Sequence, residues 1–502
     1  MKDFDISGLA QLDRGRFNAY RSNLDFYNGS QWAQKSRNRQ LVFNYARIAV
    51  DKVTSYLMDG LNYSFEPLTE NPDIIGRDKN VIAKGPDKIG AKQSPGDDAI
   101  ARSPDAIGAT KQPFDVKSRE IAKRAEDLVY RVLDRNNCAE LDYTTEVDAA
   151  VLGDGCYKVT WDALEKQVRI TSPDAAGLYA WWTADDLSRL YRVASRYQLS
   201  RDEISLLYGR DVQKKTAYIT ELWTAEDFVL YLDEQVIDRK PNPYGFIPFI
   251  IFPNLRQPKQ FWGMSDIPAI VEPQKELNRA LSQLSRILEV SGNPIAVLEG
   301  VESSEDIQVR PGAVWNLPND TKAYLLDLLQ GGGIRLHIDY IDMVYRTLHD
   351  ISESPRAAYG GVERDLSGVA LEVELQSLLQ RVSRKRLIRT GVYRRRNEMI
   401  LKLWARFSGQ DLTAVAQRVC WGQVLPQDRA SQSQNEQLLV QSGVHSRRTA
   451  MDSLGVRDPE LEFEKWMEER RRILVQNQEF KAQSAGGGAR ERSVAADVEK
   501  AL

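Results

Sequence analysis

The sequence predicts an α+β fold in which a mixed body gives way to long helices. Short apolar and polar alternations cluster between residues 155 and 255, and apolar residues at helical spacing run on from residue 266. A Pro- and Gly-rich stretch without aromatics interrupts the chain at 68–113. At 502 residues the chain exceeds the roughly 250–300 at which a single core stops growing, so several domains are expected.

Residues 9–66 read as two helical stretches. Phe17, Tyr20, Leu24 and Tyr27, then Tyr45, Ile48, Val50, Val53, Tyr56 and Leu57, recur at mixed spacings of three and four, and Asn28-Gly29 breaks the first stretch. Residues 68–113 carry an imperfect repeat, PDIIGRDK at 72, PDKIGAK at 86 and PDAIGATK at 104. Too few large apolar groups occur there to offset the entropy of ordering, so a loosely ordered surface insertion is expected. A helix resumes at 115–136, and Cys156–Trp161, Val168–Thr171, Ala217–Trp223 and Phe228–Leu232 alternate as antiparallel strands do. PNPYGFIPFIIF, residues 241–252, reads as a strand or extended arm leading out of that body.

Pro268 and Pro273 mark the first turns of a helix reaching Val290, with Ile270, Leu277, Leu281, Leu284 and Leu288 on one stripe. Ser291-Gly292-Asn293-Pro294 stops it. The strand-like segments IAVLEG and AVWNLP and the run AYLLDLL follow, closed by Gly331-Gly332-Gly333, so a small subdomain is inserted between two helices. The second helix, 334–351, has Ile334, Ile338, Ile341, Val344 and Leu348 on its stripe. Ser354-Pro355 and Gly360-Gly361 then frame a mobile loop, and Ser367 is placed to cap the longest helix, which ends near Phe407. Residues 432–475 read as helical and charged, and 476–502 as a frayed tail.

Composition and motifs exclude several functions. The 68 Lys and Arg nearly balance 71 Asp and Glu, so no global basic field drives avid DNA binding. There is no G-x-x-x-x-G-K-[ST]; Gly331 to Gly333 precede Ile334 and Arg335, and Gly153-Asp154-Gly155 lacks a following Lys-Ser pair. His337, His349 and His445 show no metal-ligand spacing, and Cys138, Cys156 and Cys420 are isolated, as buried thiols in a reducing compartment would be. Glu363 and Asp365 read as solvated loop residues. No catalytic set, metal or other cofactor is expected. The opening MKDFDISGLAQLDRGRF lacks the apolar core of a signal peptide, and no apolar run reaches the roughly 18 residues that span a bilayer, so a soluble protein is expected.

The densest charge feature is RVSRKRLIRTGVYRRR, residues 381–396, inside the longest helix. Residues 384 to 386 alone cover about 200° of the helix at 100° per residue, so the run is not a single phosphate-facing ridge. Two readings stay open: a solvated face that pairs with acidic neighbours, or a DNA contact through Arg384, Lys385, Arg386 and Arg389.

Several strings, in order, resemble the portal proteins of tailed double-stranded-DNA bacteriophages, particularly the long non-contractile-tail type. Tyr20, Leu24, Tyr27-Asn28-Gly29, Trp32, Asn44-Tyr45-Ala46-Arg47 and Val50-Asp51 look like the opening segment of that family. Gly153-Asp154-Gly155, Pro248-Phe249, Trp262-Gly263-Met264-Ser265-Asp266 and Gln274-Lys275-Glu276-Leu277-Asn278 look like its approach to the stem. Ser367-Gly368-Val369-Ala370-Leu371 resembles the start of its long helix, and Leu425-Pro426, Gly443, Ser446, Leu454-Gly455 and Asp458-Pro459 its C-terminal part.

The resemblance implies a portal-like subunit: an α+β wing at 1–262, stem helices at 263–291 and 334–351, and a small clip at 292–333 between them. A tunnel loop at 352–368, a long wing helix and strand at 369–426, and a helical crown at 427–475 complete it. In such a subunit Arg356, Tyr359 and Arg364 are the DNA-facing groups of the loop. It further implies a non-enzymatic homo-oligomeric ring of twelve at one capsid vertex of the virion, assembled in the host cytoplasm, through which double-stranded DNA is packaged and ejected. The implied partners are the terminase large subunit, scaffold and major capsid proteins, and a head-completion adaptor, with no membrane. The residues agree with a ring on their own terms, because two amphipathic helices joined by a compact insert cannot bury both faces alone. A near-neutral subunit suits a conduit too, since each phosphate neutralised adds about 0.9 to the salt exponent of binding and strong binding stalls movement. The rival classes are a nucleic-acid motor or nuclease, which lacks its motifs here, and a helical scaffold, which has no need of an open channel.

Overall fold

The computed structural model describes residues 6, 8–32, 40–68, 116–292, 295–299, 322–326, 333–360, 368–422, 429–456 and 459–484. They fall into two compact units, Met1–Gly422 and Gln423–Leu502. The repetitive stretch expected as a surface insertion lies outside the described residues except for Leu68.

The first unit opens with helices α1 (Leu9–Leu12), α2 (Arg14–Tyr27) and α3 (Tyr45–Met58). Asn44 caps α3, its side chain accepting from the backbone N–H of Arg47. Residues 62–67, read above as the end of a helical stretch, instead form strand β1 (Asn62–Pro67), in which Tyr63 and Phe65 point inward with the two-residue period of a strand. The expected helix at 115–136 is α4 (Val116–Arg135), and a further helix, α5 (Cys138–Leu152), follows it. The inward face of α5 carries Asp142, Thr145 and Glu146 beside alanines, which erases the apolar stripe that would have marked it.

Two antiparallel sheets come next, and the four expected strands lie in them. Strands β2 (Asp154–Asp162), β3 (Gln167–Thr171), β4 (Leu178–Thr183) and β5 (Asp186–Ser200) precede the short helix α6 (Arg201–Tyr208). Strands β6 (Thr216–Trp223), β7 (Asp227–Leu232), β8 (Gln235–Pro241) and β9 (Phe249–Pro253) follow. One sheet has the order β3-β2-β9 and the other β4-β5-β6-β7-β8. The apolar run ending in β9 therefore does not lead out of the body: Lys158 to Asp154 of β2 pair with Phe249 to Pro253, and all five residues of β9 are buried. A strand covered on both faces reads as a continuous apolar run, which hides its place in a sheet. Leu178, Val193, Ile219 and Phe249 belong to one core cluster, and Leu128, Tyr157, Phe252 and Tyr393 to another.

The short pair β10 (Leu255–Arg256) and β11 (Gly263–Met264) leads into the helical half. Pro268–Ile270 form one 3-10 turn, and α7 (Val271–Gly292) continues from it, close to the expected bounds. Strands β12 (Ile295–Glu299) and β13 (Lys322–Leu326) pair antiparallel, whereas AVWNLP lies outside the described residues. Then come α8 (Gly333–Ile351), α9 (Gly368–Glu374), α10 (Gln376–Ser408) and β14 (Val415–Cys420). The longest helix is thus interrupted at Leu375, and Ser367, its expected cap, lies outside the described residues. β14 pairs with β1 along its length, tying the chain after α10 to the chain after α3.

The second unit holds α11 (Arg429–Gln441), α12 (Arg447–Ser453) and α13 (Pro459–Ser484). Glu436, buried on α11, lies 2.9 Å from Nδ1 of His445, and the Arg447 guanidinium sits 4.2 Å from the centre of the Trp466 ring. α13 runs on through the first residues of the stretch expected to fray.

Candidate functional site

α7 and α8 pack together through Leu277, Val344 and Leu348, with Leu281, Ile341, Tyr345 and the α3 residue Tyr45 against them. The inward stripes are shorter than the sequence suggests, since Leu288 and Ile338 are half exposed. α8 also leaves apolar side chains exposed outside its contact with α7, Leu336 (73% exposed), Met343 (56%) and Ile351, while the exposed Tyr340 donates its hydroxyl to Glu276 of α7 at 2.7 Å. The outward face of α7 is polar instead, with Glu272, Lys275, Arg279 and Arg286 exposed.

The hairpin is fastened to the body by a polar junction built from the strings singled out in the sequence. Gly153 adopts φ +111, and its carbonyl accepts from the backbone N–H of Asn254 at 2.7 Å. A Cβ on Gly263 would lie 2.3 Å from that same carbonyl oxygen, so only glycine lets the two backbones touch. The N–H of Gly263 donates to Asp154 at 2.8 Å, and the Tyr20 hydroxyl donates to the other oxygen of that carboxylate. Burial pushes the Asp154 carboxyl up to about 6 despite those two hydrogen bonds. Ser265 donates to the carbonyl of Val151 at 2.6 Å, and the N–H of Asp266 to that of Ala150 at 2.8 Å. On the first turns of α7, Gln274 donates to the Phe43 carbonyl at 2.6 Å, and Asn278 accepts from the Phe43 N–H at 2.9 Å and donates to Gln31 at 2.6 Å. Gln31 and the residues from Leu41 to Ala46 are thereby fastened to the first turns of α7.

The basic run of α10 is the other half of this junction. Arg381, Lys385 and Arg389 recur every fourth residue and point inward, and Arg396 does so further along. Lys385 lies 2.5 Å and Arg381 2.9 Å from the two oxygens of Asp266. Burial opposes the charge on Asp266, but these two cations hold its carboxyl well below the usual range. Arg389 donates to both oxygens of Glu146 at 2.8 and 2.9 Å and to the carbonyls of Pro253 and Asn254. Arg396 pairs with Asp142 at 2.5 Å and with the Tyr63 hydroxyl.

Of the four residues considered for DNA contact, Lys385 (1% exposed) and Arg389 (0%) therefore sit in the interior with their charges neutralised, leaving no face for a phosphate. Arg386 is turned to protein as well, donating to the carbonyls of Tyr56 and Leu57 at the end of α3 and to that of Gly422 just after β14. Arg384 is half exposed and pairs with Glu353. The reading as a solvated face fails at the same three residues, although pairing with acidic neighbours holds for Lys385 and Arg389. Asp142 and Glu146, four residues apart on α5, are functional partners that sequence reasoning missed; their matching helical spacing was the available signal.

The turn after α8 is closed locally. Glu353 takes φ +49, and Nδ1 of the buried His349 donates to the Ser354 carbonyl at 2.7 Å. The Tyr359 hydroxyl bonds Ser354 Oγ at 2.7 Å, and its ring stands edge-on to His349. The Arg356 guanidinium lies 5.4 Å from the centre of the Tyr345 ring. Arg381 ties the turn to α10 by donating to the carbonyl of Ser352. Arg356 and Tyr359 thus share one turn at the end of α8, and Arg364 lies outside the described residues. Among the described residues no helix is long and apolar enough to cross a membrane.

Against known proteins, a family model described as "Phage portal protein, SPP1 Gp6-like" matches residues 112–475. No curated protein matches the chain.

Proposed function

We propose, for a chain that belongs to the SPP1 Gp6-like family of phage portal proteins, that the α7–α8 hairpin is the element through which copies pack around the DNA. Membership makes the protein a structural, non-enzymatic subunit of a ring at the capsid vertex that serves the DNA packaging channel. The observation that carries the reading of the hairpin is the set of exposed apolar side chains on α8, Leu336, Met343 and Ile351. Burying a side chain of this size contributes roughly 1.5–3 kcal/mol, so a neighbouring copy that covers them stabilises both subunits. The polar outward face of α7 needs no such cover and suits water. This supports assignment of 263–291 and 334–351 as stem, 292–333 as clip, 1–262 and 369–426 as wing, and 427–475 as crown.

The loop at 352–368 then lies where a central duplex passes. Arg356 and Arg364 are its phosphate-facing groups, and Tyr359 holds its first turn through Ser354. A ring of twelve in a long non-contractile-tail phage, assembled in the host cytoplasm with scaffold and major capsid proteins, fits the reading. The terminase large subunit docks on the clip during filling, a head-completion adaptor replaces it, and DNA leaves by the same channel.

Replacing Leu336 and Met343 together by Asp tests this reading. Both side chains are exposed in the subunit, so its helical content and melting should remain unchanged, while rings seen by analytical ultracentrifugation should be lost. Rings formed at the wild-type concentration would sink the proposal.

A further inference from the structure

Away from the hairpin, the first unit contains a cavity of about 640 Å³ between the five-stranded sheet, β2 and the end of α6. We propose that it is a docking pocket for a segment of a partner protein that carries an acidic residue beside a large apolar anchor. Neither the family nor the channel requires this site.

The floor is aromatic and held in place. Trp223 stacks on Tyr244 with ring centres 5.8 Å apart and 9° between planes, and Phe228 lies 4.4 Å from Trp223. Trp161 stacks in turn on Phe407 at 5.1 Å. A preformed pocket of roughly 300–1,000 Å³ with an aromatic floor and polar walls is of a size to take up a large side chain. The carboxylates around it are already occupied. Glu221 receives Lys158 at 2.5 Å, the Trp223 indole at 2.9 Å and the Tyr197 hydroxyl at 3.0 Å, and Asp238 lies 3.3 Å from Lys240. The charge left over is positive: Arg210, exposed at the rim, makes no hydrogen bond or ion pair among the described residues. A basic segment would meet Arg210 and find no open carboxylate, whereas an acidic one gains a charge-assisted bond.

The rim also selects the class of partner. α6 is anchored by Ile204, fully buried, and by a capping box between Ser200 and Glu203, yet it holds Leu206 (85% exposed) and Leu207 (62%) out to solvent. Leu207 lines the cavity. Leu207 at the mouth of a pocket with an aromatic floor suits an apolar side chain of a peptide and offers nothing to the phosphates of a nucleic acid, whose bases the same floor could otherwise stack.

Selection of displayed random dodecapeptides on the full-length protein tests this, followed by titration of the enriched peptides against wild type, Arg210→Glu and Leu207→Asp. Both substitutions are at exposed positions, so the fold and the ring are retained. Enriched peptides should combine acidic and aromatic or leucine residues and should lose about tenfold in affinity for each variant. The proposal is overturned if no peptides enrich, if they are basic, or if they bind both variants as tightly as wild type. It is also overturned if a thymidine oligonucleotide binds in their place in an Arg210-dependent way.

Discussion

Arg389 satisfies five acceptors from one side chain: two oxygens of Glu146, the carbonyls of Pro253 and Asn254, and the side-chain oxygen of Asn254, in a site where both charges are essentially excluded from water. Desolvation of such a pair offsets much of its attraction, so its value lies in geometry as much as in energy: it fixes α10 against α5 and the end of β9. A lysine keeps the charge but has no planar fork. Arg389→Lys should therefore lower stability by about 2–4 kcal/mol, read from the urea midpoint, and a midpoint within error of wild type would refute this role. The sequence displays these cations and even their spacing of four. It does not display their destinations, because Asp266, Glu146 and Asp142 lie 119, 243 and 254 residues from Lys385, Arg389 and Arg396. A charge run in isolation reads as surface, and only the fold turns four of its members inward.

Among elements, α7 is legible from the prolines at its start, the glycine and proline at its stop and its apolar period, and α8 from the glycines before it, Ser354-Pro355 after it and the same period. α5 is not, since its buried face is polar, and β9 is misplaced because a strand covered on both sides does not alternate. The glycine and aspartate strings at 153–155 and 262–266 were visible, but their reason, two backbones in contact beneath a buried carboxylate, needed the structure. The turn after α8 separates two roles that sequence alone merges. Replacing Arg356 and Arg364 by Ala should leave ring assembly intact and reduce DNA retention in filled capsids. Tyr359→Phe, which removes only the bond to Ser354, should cost about 1 kcal/mol of stability with retention unchanged. Equal retention in the double variant and wild type would argue against a loop that touches DNA.

For the whole molecule, a formal charge of −3 across 502 residues and an interior basic run describe a subunit that does not grip DNA along its length. The inward cations of α10 are spent on internal ties, and Leu336 and Met343 of α8 lie exposed, where the proposed packing of copies would cover them. Both features belong to a conduit that must close on itself and let a polyanion slide. Electron microscopy of the purified protein, with class averages taken down the particle axis, tests this most directly. Closed rings with a central opening wide enough for duplex DNA are the predicted result; closed dimers, or solid particles with no axial opening, would contradict it.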